Sequence, residues 1–232
     1  MIKTFLITLS FSIFLHASQQ IILVVAEDFQ TPKAQMICYE NGKKIFEKIA
    51  VNLGKNGLGW GLGIHMLEQK KAEPLKYEGD KKAPAGIFKL GTGFGYARNK
   101  KLKIPYTFTS ENLICVDDSN SDLYNKIIFM PKKNKPISFE TMKRKDDQYK
   151  LGVEVLHNFT ATPQRGSCIF LHVEKGKDVG TAGCTSMKYE KLSDIVEWLD
   201  QEKNPILIQI PKRSAQEVIK LYPELKNSEL LH

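Results

Sequence analysis

Residues 166–187 read GSCIFLHVEKGKDVGTAGCTSM and place a histidine and a cysteine at the two ends of a loop. The apolar run 168–171 is typical of a buried strand, and it ends at His172. Segment 174–182 contains two glycines and is long enough to fold back on that strand. Cys184 follows this loop, so the stretch predicts a β-rich fold in which the loop returns Cys184 to His172.

The pairing of this cysteine with this histidine suits nucleophilic catalysis. A thiol attacks a carbonyl as thiolate, and a nearby imidazole lowers the thiol pKa from about 8.5 by taking its proton. Gly183 lets the backbone turn sharply before Cys184, and backbone N–H groups there suit an oxyanion. If His172 holds a thiolate, Cys184 should react with iodoacetamide well below about pH 8. The alternative is an inert core thiol and an ordinary hydrogen-bonded ring.

Most of the remaining chain predicts β-strands. The dipeptide Asn41-Gly42 favours a two-residue hairpin turn between the two segments that flank it. The glycine-rich segment 54–63 predicts a loop, and 76–95 alternates turn signals with short apolar groups. The expected strands are 21–25, 34–40, 43–51, 151–156, 168–173 and 205–210.

Helices are expected in the last part of the sequence. Apolar residues recur at helical spacing in 188–201, and a capping box at 214–217 predicts the start of a second helix. A third, weaker helix is expected after Ser138, through Met142. These elements predict one domain, residues 18–232, that is mainly β with a few helices (α+β).

The first residues differ from the rest of the chain. Segment 1–17 has Lys3, an apolar stretch and a small residue at Ala17, which together predict a secretory signal peptide. The apolar stretch is shorter than the roughly 20 residues that a membrane span needs. An uncleaved anchor or a first core strand is the alternative. We expect an exported protein of the periplasm with no membrane span after removal of the signal.

Charge and cysteine content narrow the partners. The formal net charge is +8, but the lysines are scattered along the chain, which is typical of a solvated surface. No motif for nucleic acid is present, so none is expected as a partner. The four cysteines do not have the spacing of a zinc site, and no metal or other cofactor is expected. If Cys184 is a working thiol, Cys38, Cys115 and Cys168 allow at most one disulfide, whose pairing stays open.

Several segments in order resemble one family. Over about 52–211, the chain is similar to the YkuD-type L,D-transpeptidases. The combination of the EGD…PAGIF segment with the later H…GC pattern is specific, whereas either half alone is weak. The segments are GKNGLGWG at 54–61, KYEGDKKAPAGIF at 76–88, CVDDSNS at 115–121, YN at 124–125, GSCIFLH at 166–172 and TAGC at 181–184.

The resemblance implies a β-sandwich-like catalytic domain that acts on peptidoglycan stem peptides. Carried over by position, Cys184 is the nucleophile and His172 is the base. The backbone carbonyl of Val173 takes the place of the third triad member and fixes the imidazole tautomer. Gly183 shapes the turn that presents the nucleophile.

The chain departs from the family pattern beside the nucleophile. Many members have Ser-His-Gly-Cys followed two residues later by Arg or Asn, and their His–Cys gap is longer. Here the first two of those positions hold Thr181 and Ala182, and the later one holds Ser186. Thr181, Thr185 and Ser186 are therefore the predicted substrate-binding side chains around the nucleophile. The missing histidine is not the base, so the chemistry survives, but the substrate is left open.

Five residues elsewhere are candidates for substrate contact. Trp60 stands among glycines and would stack on a sugar or peptide, or pack over its loop. Lys76 and Arg165 would bind a substrate carboxylate, although an exposed lysine is the simpler reading of Lys76. Tyr124 and Asn125 line the cleft by resemblance alone.

Other polar residues have weaker claims. Asp117 and Asp118 would bind a cation or the amino end of a stem peptide, but a turn is favoured. Glu78 and Asp80 are expected to stabilise their loop. His157 is the rival base, at the end of a predicted strand.

The predicted function is acyl transfer through a thioester. Cys184 would attack the carbonyl at the L-centre of a diamino acid, and an amine of another stem would then take the acyl group. The alternatives are an L,D-carboxypeptidase, a hydrolase of another envelope amide and, from another class, an inactive peptidoglycan-binding module. The oligomeric state is left open.

Overall fold

The structure is a computed structural model that describes residues 19–232, so the predicted signal peptide at 1–17 lies outside it. The described chain is mainly β, with two α-helices and several short 3-10 turns, which confirms the predicted fold class. The strands are β1 Gln20–Ala26, β2 Lys33–Glu40, β3 Lys43–Lys44, β4 Ile49–Asn52, β5 Leu58–Trp60, β6 Ala83–Gly95, β7 Tyr106–Phe108, β8 Leu113–Cys115, β9 Ile127–Phe129, β10 Glu140–Thr141, β11 Leu151–Val155, β12 Phe170–Val173, β13 Thr185–Met187 and β14 Ile206–Pro211. The helices are α1 Tyr189–Trp198 and α2 Ala215–Leu221.

One large sheet forms the body of the molecule. Its strand order is β1-β14-β6-β11-β12-β13-β4-β2-β3, and β1 also pairs with β2. Because β1 therefore has a neighbour on both sides, the sheet closes on itself around an apolar interior. Strand β1 is buried along its whole length, which explains why 21–25 is a continuous apolar run rather than an alternating one.

The hairpin prediction is confirmed at Asn41-Gly42. Both residues adopt positive φ, 51° and 75°, as the two central positions of a type I′ turn require. The second strand is shorter than expected, since pairing stops after Lys44 and resumes at β4. The segment 54–63 is not wholly a loop, because β5 pairs with β6 in parallel.

Two of the three expected helices are present. Helix α1 buries Leu192, Ile195 and Val196, as its spacing predicts. Helix α2 forms too, but the Ser214 side chain makes no cap hydrogen bond because a 3-10 turn precedes the helix. The prediction of a third helix after Ser138 is wrong, because this segment contains β10, which pairs with β8. Tertiary pairing overrides local propensity in so short a segment.

A second, smaller sheet lies beside the first. It has the order β10-β8-β9 and carries its own apolar cluster, which includes Leu113, Met142 and Tyr149. A disulfide between Cys115 and Cys168 joins this small sheet to the segment just before β12, and Cys38 and Cys184 are free thiols. Among residues 19–232, no helix is long and apolar enough to cross a membrane.

Candidate active site

Two neighbouring strands bring His172 and Cys184 to one face of the large sheet. Strands β12 and β13 pair in parallel with His172 opposite Ser186, so Cys184 comes just before the paired part of β13. Side chains alternate along a strand, and Leu171 and Met187 face the main core. Cys184 instead packs in the smaller cluster with Tyr149, whose ring meets the His172 ring edge-on at 5.3 Å between centroids. The nucleophile candidate and its base therefore share a face.

The sulfur of Cys184 contacts the backbone of the segment that leads into β12. The thiol donates to the carbonyl of Cys168 at 3.4 Å, and the Phe170 N–H donates to the sulfur at 3.3 Å. Gly183, which precedes the cysteine, has φ +154°, a value that side chains disfavour. A Cβ there would lie 3.1 Å from the Lys82 carbonyl oxygen, so the turn requires glycine.

The His172 ring is held by its own strand. Its Nδ1 lies 2.8 Å from the carbonyl oxygen of Val173, so Nδ1–H donates and Nε2 is left as the basic atom. The Val173 carbonyl thus has the geometry that the resemblance assigned to it. Tyr149 packs against the ring and donates its hydroxyl to Glu140 at 2.6 Å. The imidazole is fixed in both tautomer and orientation.

Burial sets the charge of both groups. Burial raises the pKa of the Cys184 thiol to about 12, and the negative charge of Glu140 acts in the same direction. Burial also lowers the pKa of His172 to about 4, against the effect of the Val173 carbonyl. Both shifts favour a neutral thiol beside a neutral imidazole. The expected thiolate–imidazolium pair is therefore not favoured in the resting molecule, and fast alkylation near neutral pH is not expected.

Cys184 and His172 open into one cavity of about 420 Å³. Its walls carry charges of both signs. One carboxylate oxygen of Asp117 is buried there without a hydrogen-bond partner in the described part of the chain. The charged lining residues are Lys76, Glu78, Lys81, Asp117, Glu140, Arg144 and Lys175.

Several lining residues are missing from the sequence-based prediction, among them Glu140, Arg144 and Tyr149. Arg144 places its guanidinium over the Tyr149 ring, 4.9 Å from its centroid, and pairs with Asp146 at 2.8 Å. No local signal identifies them, because they reach the site through the pairing of the small sheet and the chain that follows it. The same pairing places Asp117 in the wall of the cavity.

Of the three predicted substrate-binding residues around Cys184, one lines the cavity and two do not. Thr181 lines the cavity, and its hydroxyl donates to the Cys184 carbonyl at 2.6 Å and accepts from the Gly183 N–H at 3.1 Å. Thr185 faces the core and donates to Gln209, so its predicted substrate contact is wrong. Ser186 is 1% exposed and does not line the cavity, so its predicted contact is also wrong.

Two further substrate-contact predictions fail because the side chains are turned away from the cavity. Trp60 is 1% exposed in the main core and donates its ring N–H to Glu73 at 2.8 Å, so it offers no face for stacking. Arg165 donates to the Lys76 carbonyl at 3.2 Å and lies over the Tyr77 ring. Neither Trp60 nor Arg165 lines the cavity.

Tyr124 and Asn125 support the site without entering the cavity. The Tyr124 hydroxyl donates to Glu78, which does line the cavity. Asn125 accepts from the Cys168 N–H at 3.0 Å and donates to the carbonyl of His157 at 2.9 Å. Their predicted place in the cleft lining is therefore corrected to the layer behind it.

Lys76 lines the cavity but is not an exposed lysine. It is 2% exposed, and its ammonium donates to Asp80 at 2.6 Å. Asp80 also accepts from the Tyr77 and Lys82 N–H groups, which confirms its expected role in the loop. Asp118 accepts from two backbone N–H groups, at Asn120 and Ile137, as a turn residue does.

The rival base, His157, is a structural residue. Its Nδ1 accepts from the Leu62 N–H at 3.2 Å, and its Nε2 lies 2.9 Å from the Arg165 carbonyl. With both nitrogens occupied and the ring 1% exposed, it has no atom free for proton transfer. Residues 19–232 contain no group of acidic, histidine and cysteine side chains that could hold a metal ion.

Comparison with known families identifies the family of this chain. The L,D-transpeptidase catalytic domain model, YkuD, matches residues 19–208, and the chain belongs to this family. No curated protein and no solved structure gives a match to the chain.

The two buried histidines predict an acid-sensitive fold. Burial lowers the pKa of both His157 and His172 to about 4, below the usual 6.5. The unfolded chain therefore binds more protons between these values, so stability is full above pH 6.5 and falls towards pH 4. As the pH falls from 6.5 to 4, each of the two rings should lower the unfolding free energy by about 3 kcal/mol. Urea unfolding at several pH values measures this.

A matched variant separates this effect from the titration of carboxylates. Between pH 6.5 and 4, the unfolding free energy of His172→Gln should fall less than that of the wild type. The difference should equal the contribution of the His172 ring. An unchanged pH dependence in this variant would show that His172 is not held neutral.

Thr181 is predicted to position Cys184, the candidate nucleophile. Thr181→Val keeps the shape but removes both hydrogen bonds that tie Gly183 and Cys184 together. Small displacements of reacting groups cost up to about 100-fold in rate, so kcat should fall roughly 10- to 100-fold. Unfolding free energy should fall by about 1–3 kcal/mol, the usual range for two hydrogen bonds.

Thr181→Ser is the control, because it retains the hydroxyl and should restore most of the rate. Steady-state kinetics of both variants decide the point. Equal kcat values for Thr181→Val and Thr181→Ser would exclude the positioning role.

Proposed function

We propose that this chain is an exported L,D-transpeptidase that works through a thioester on Cys184, with His172 as the base. The observation that carries the proposal is the placement of both side chains on one face of two paired strands, open to one cavity. Membership of the family supports the reaction class.

In the proposed mechanism, the thiol stays protonated until substrate arrives. The sulfur attacks a peptide carbonyl while Nε2 of His172 takes the thiol proton, and the Val173 carbonyl stabilises the resulting imidazolium. A C–S bond forms, the C–N bond breaks, and the imidazolium returns its proton to the leaving amine. An incoming amine then attacks the thioester and His172 takes its proton. A new C–N bond forms, the C–S bond breaks, and the imidazolium returns the proton to the departing sulfur, which restores the thiol of Cys184.

The N–H groups of Gly183 and Phe170 were candidates for binding the oxyanion of this reaction, but both already have partners. The Gly183 N–H is already committed to the Thr181 hydroxyl, and the Phe170 N–H points at the sulfur itself. The role of the turn at Gly183 in this proposal is therefore to shape the nucleophile, as the resemblance implies.

The charges of the cavity support a peptidoglycan stem peptide as substrate. Such a peptide carries both carboxylates and an ammonium group around its diamino acid. Arg144, Lys81 and Lys175 offer cations to the carboxylates, and the carboxylate of Asp117, which lines the same cavity, suits an ammonium group. The donor carbonyl is the one at the L-centre of the diamino acid, with a terminal D-amino acid as leaving group.

Export to the periplasm is part of the same proposal. The predicted signal at 1–17 supports it. The disulfide between Cys115 and Cys168 supports it too, because disulfides persist in oxidising compartments.

Incubation with defined muropeptides, with products analysed by mass, tests the proposal. Cross-linked dimers and a transient thioester on the Cys184 peptide are the expected result. Release of a single D-amino acid with tripeptide products would instead make the chain an L,D-carboxypeptidase. Cleavage of another envelope amide would identify a different hydrolase, and binding without turnover or thioester would leave an inactive module.

A further inference from the structure

The disulfide between Cys115 and Cys168 lies at the active site. Cys168 lines the cavity that contains Cys184, and Cys115, Cys168 and Cys184 pack in one cluster. The bond connects the small sheet to the segment just before β12, across 53 positions of sequence and with 6.0 Å between the Cα atoms. The hydrogen-bond ladder of the small sheet stays within β8, β9 and β10, so the disulfide is a covalent link between elements that otherwise meet through side-chain packing.

On one side, the disulfide holds the backbone that surrounds the nucleophile. The sulfur of Cys184 is bracketed by the Cys168 carbonyl at 3.4 Å and the Phe170 N–H at 3.3 Å. Cys168 adopts φ 54°, a left-handed conformation that a non-glycine residue keeps only when its surroundings hold it. The Asn125 side chain accepts from its N–H and supplies a second restraint.

On the other side, the disulfide holds the wall that orients the base. Cys115 lies directly opposite Glu140 in the β8–β10 ladder. Glu140 accepts from the Tyr149 hydroxyl, and Tyr149 packs against His172. A single covalent bond therefore connects the backbone at the nucleophile with the residues that hold the imidazole.

We infer that the Cys115–Cys168 disulfide is a positioning element of the active site, which keeps the sulfur of Cys184 covered by segment 168–170 and holds that segment against the wall that orients His172. This inference rests on the proposed function for its effect on turnover, but its effect on the thiol does not. Without the bond, segment 168–170 and the small sheet separate, the sulfur loses its cover, and its placement relative to the imidazole is no longer fixed.

The test is the double variant Cys115→Ala/Cys168→Ala, which leaves no new thiol beside Cys184. Two rates are measured below the unfolding temperature: muropeptide turnover, and alkylation of Cys184 by iodoacetamide, read from its own peptide by mass. Turnover should fall at least 10-fold while alkylation rises several-fold. A general loss of stability also lowers turnover and exposes the thiol through unfolding, so both rates are compared with those of a control variant of similarly reduced unfolding free energy.

Val218→Ala is the matched control, since it weakens a fully buried contact of α2 in the main core and should leave both rates closer to the wild type than the double variant does. If the double variant does not fold, the wild type reduced with dithiothreitol provides the same comparison at the Cys184 peptide. Alkylation of Cys184 at the wild-type rate, in a folded protein without the disulfide, would overturn the inference. That outcome is independent of whether muropeptides are the substrate.

Discussion

A Cys184→Ala variant should lose all measurable turnover of muropeptides, a fall of about 10⁴-fold or more in kcat. The proposed reaction forms a covalent bond to this sulfur. When catalytic residues act as a unit, loss of the nucleophile alone usually lowers the rate about as much as loss of all of them. The fold should survive, because the side chain is small and packs at the edge of the smaller cluster. Rates are measured by product mass, and folding by circular dichroism and urea unfolding.

Cys38 offers the matched control for this variant. It is the other free thiol of the described chain, fully buried in the main core away from the cavity. Cys38→Ala should lose some stability through the small void it leaves, but keep kcat near the wild type. Undiminished turnover in Cys184→Ala would remove this cysteine from the mechanism.

A His172→Gln variant should lose about 10³-fold in kcat. The thiol pKa is raised to about 12 by burial, so without a base the sulfur stays protonated through the neutral range. General base catalysis is typically worth about 10²–10⁴-fold, and glutamine keeps much of the shape without accepting a proton. The measurement is single-turnover formation of the thioester, which isolates the step in which the base acts.

The pH dependence of the wild type provides a second measure of the same group. Because the pKa of His172 is lowered to about 4, the acid limb of kcat/KM should lie near pH 4 rather than near 6.5. Loss of the proton acceptor begins only when the imidazole is protonated, so activity should hold through pH 6. An acid limb near 6.5 would show that substrate meets an ordinary, solvated imidazole.

His157→Gln is the control for the base assignment. Its ring nitrogens already bond to Leu62 and the Arg165 carbonyl, so this variant should lose stability while keeping the order of magnitude of kcat. A large fall in kcat with full stability would return His157 to the list of bases.

Local patterns in the sequence were enough to predict much of this molecule. The Asn41-Gly42 turn is decided by backbone conformations that few other residues adopt, and helix α1 by an apolar spacing that only a helix brings to one face. The strand that carries His172 and the turn at Gly183 follow from equally local rules. The helix predicted after Ser138 failed because two residues of strand pairing outweighed a weak helical signal.

The sequence by itself determined that a histidine and a cysteine stand at the ends of a strand and a loop, within a β-rich chain. Their protonation, the disulfide partner of Cys168 and the wall formed by Glu140 and Tyr149 were decided only in the tertiary structure. Periodicity and turn chemistry depend on neighbours along the chain. Desolvation, by contrast, depends on everything packed around a group, and here those atoms come from distant segments.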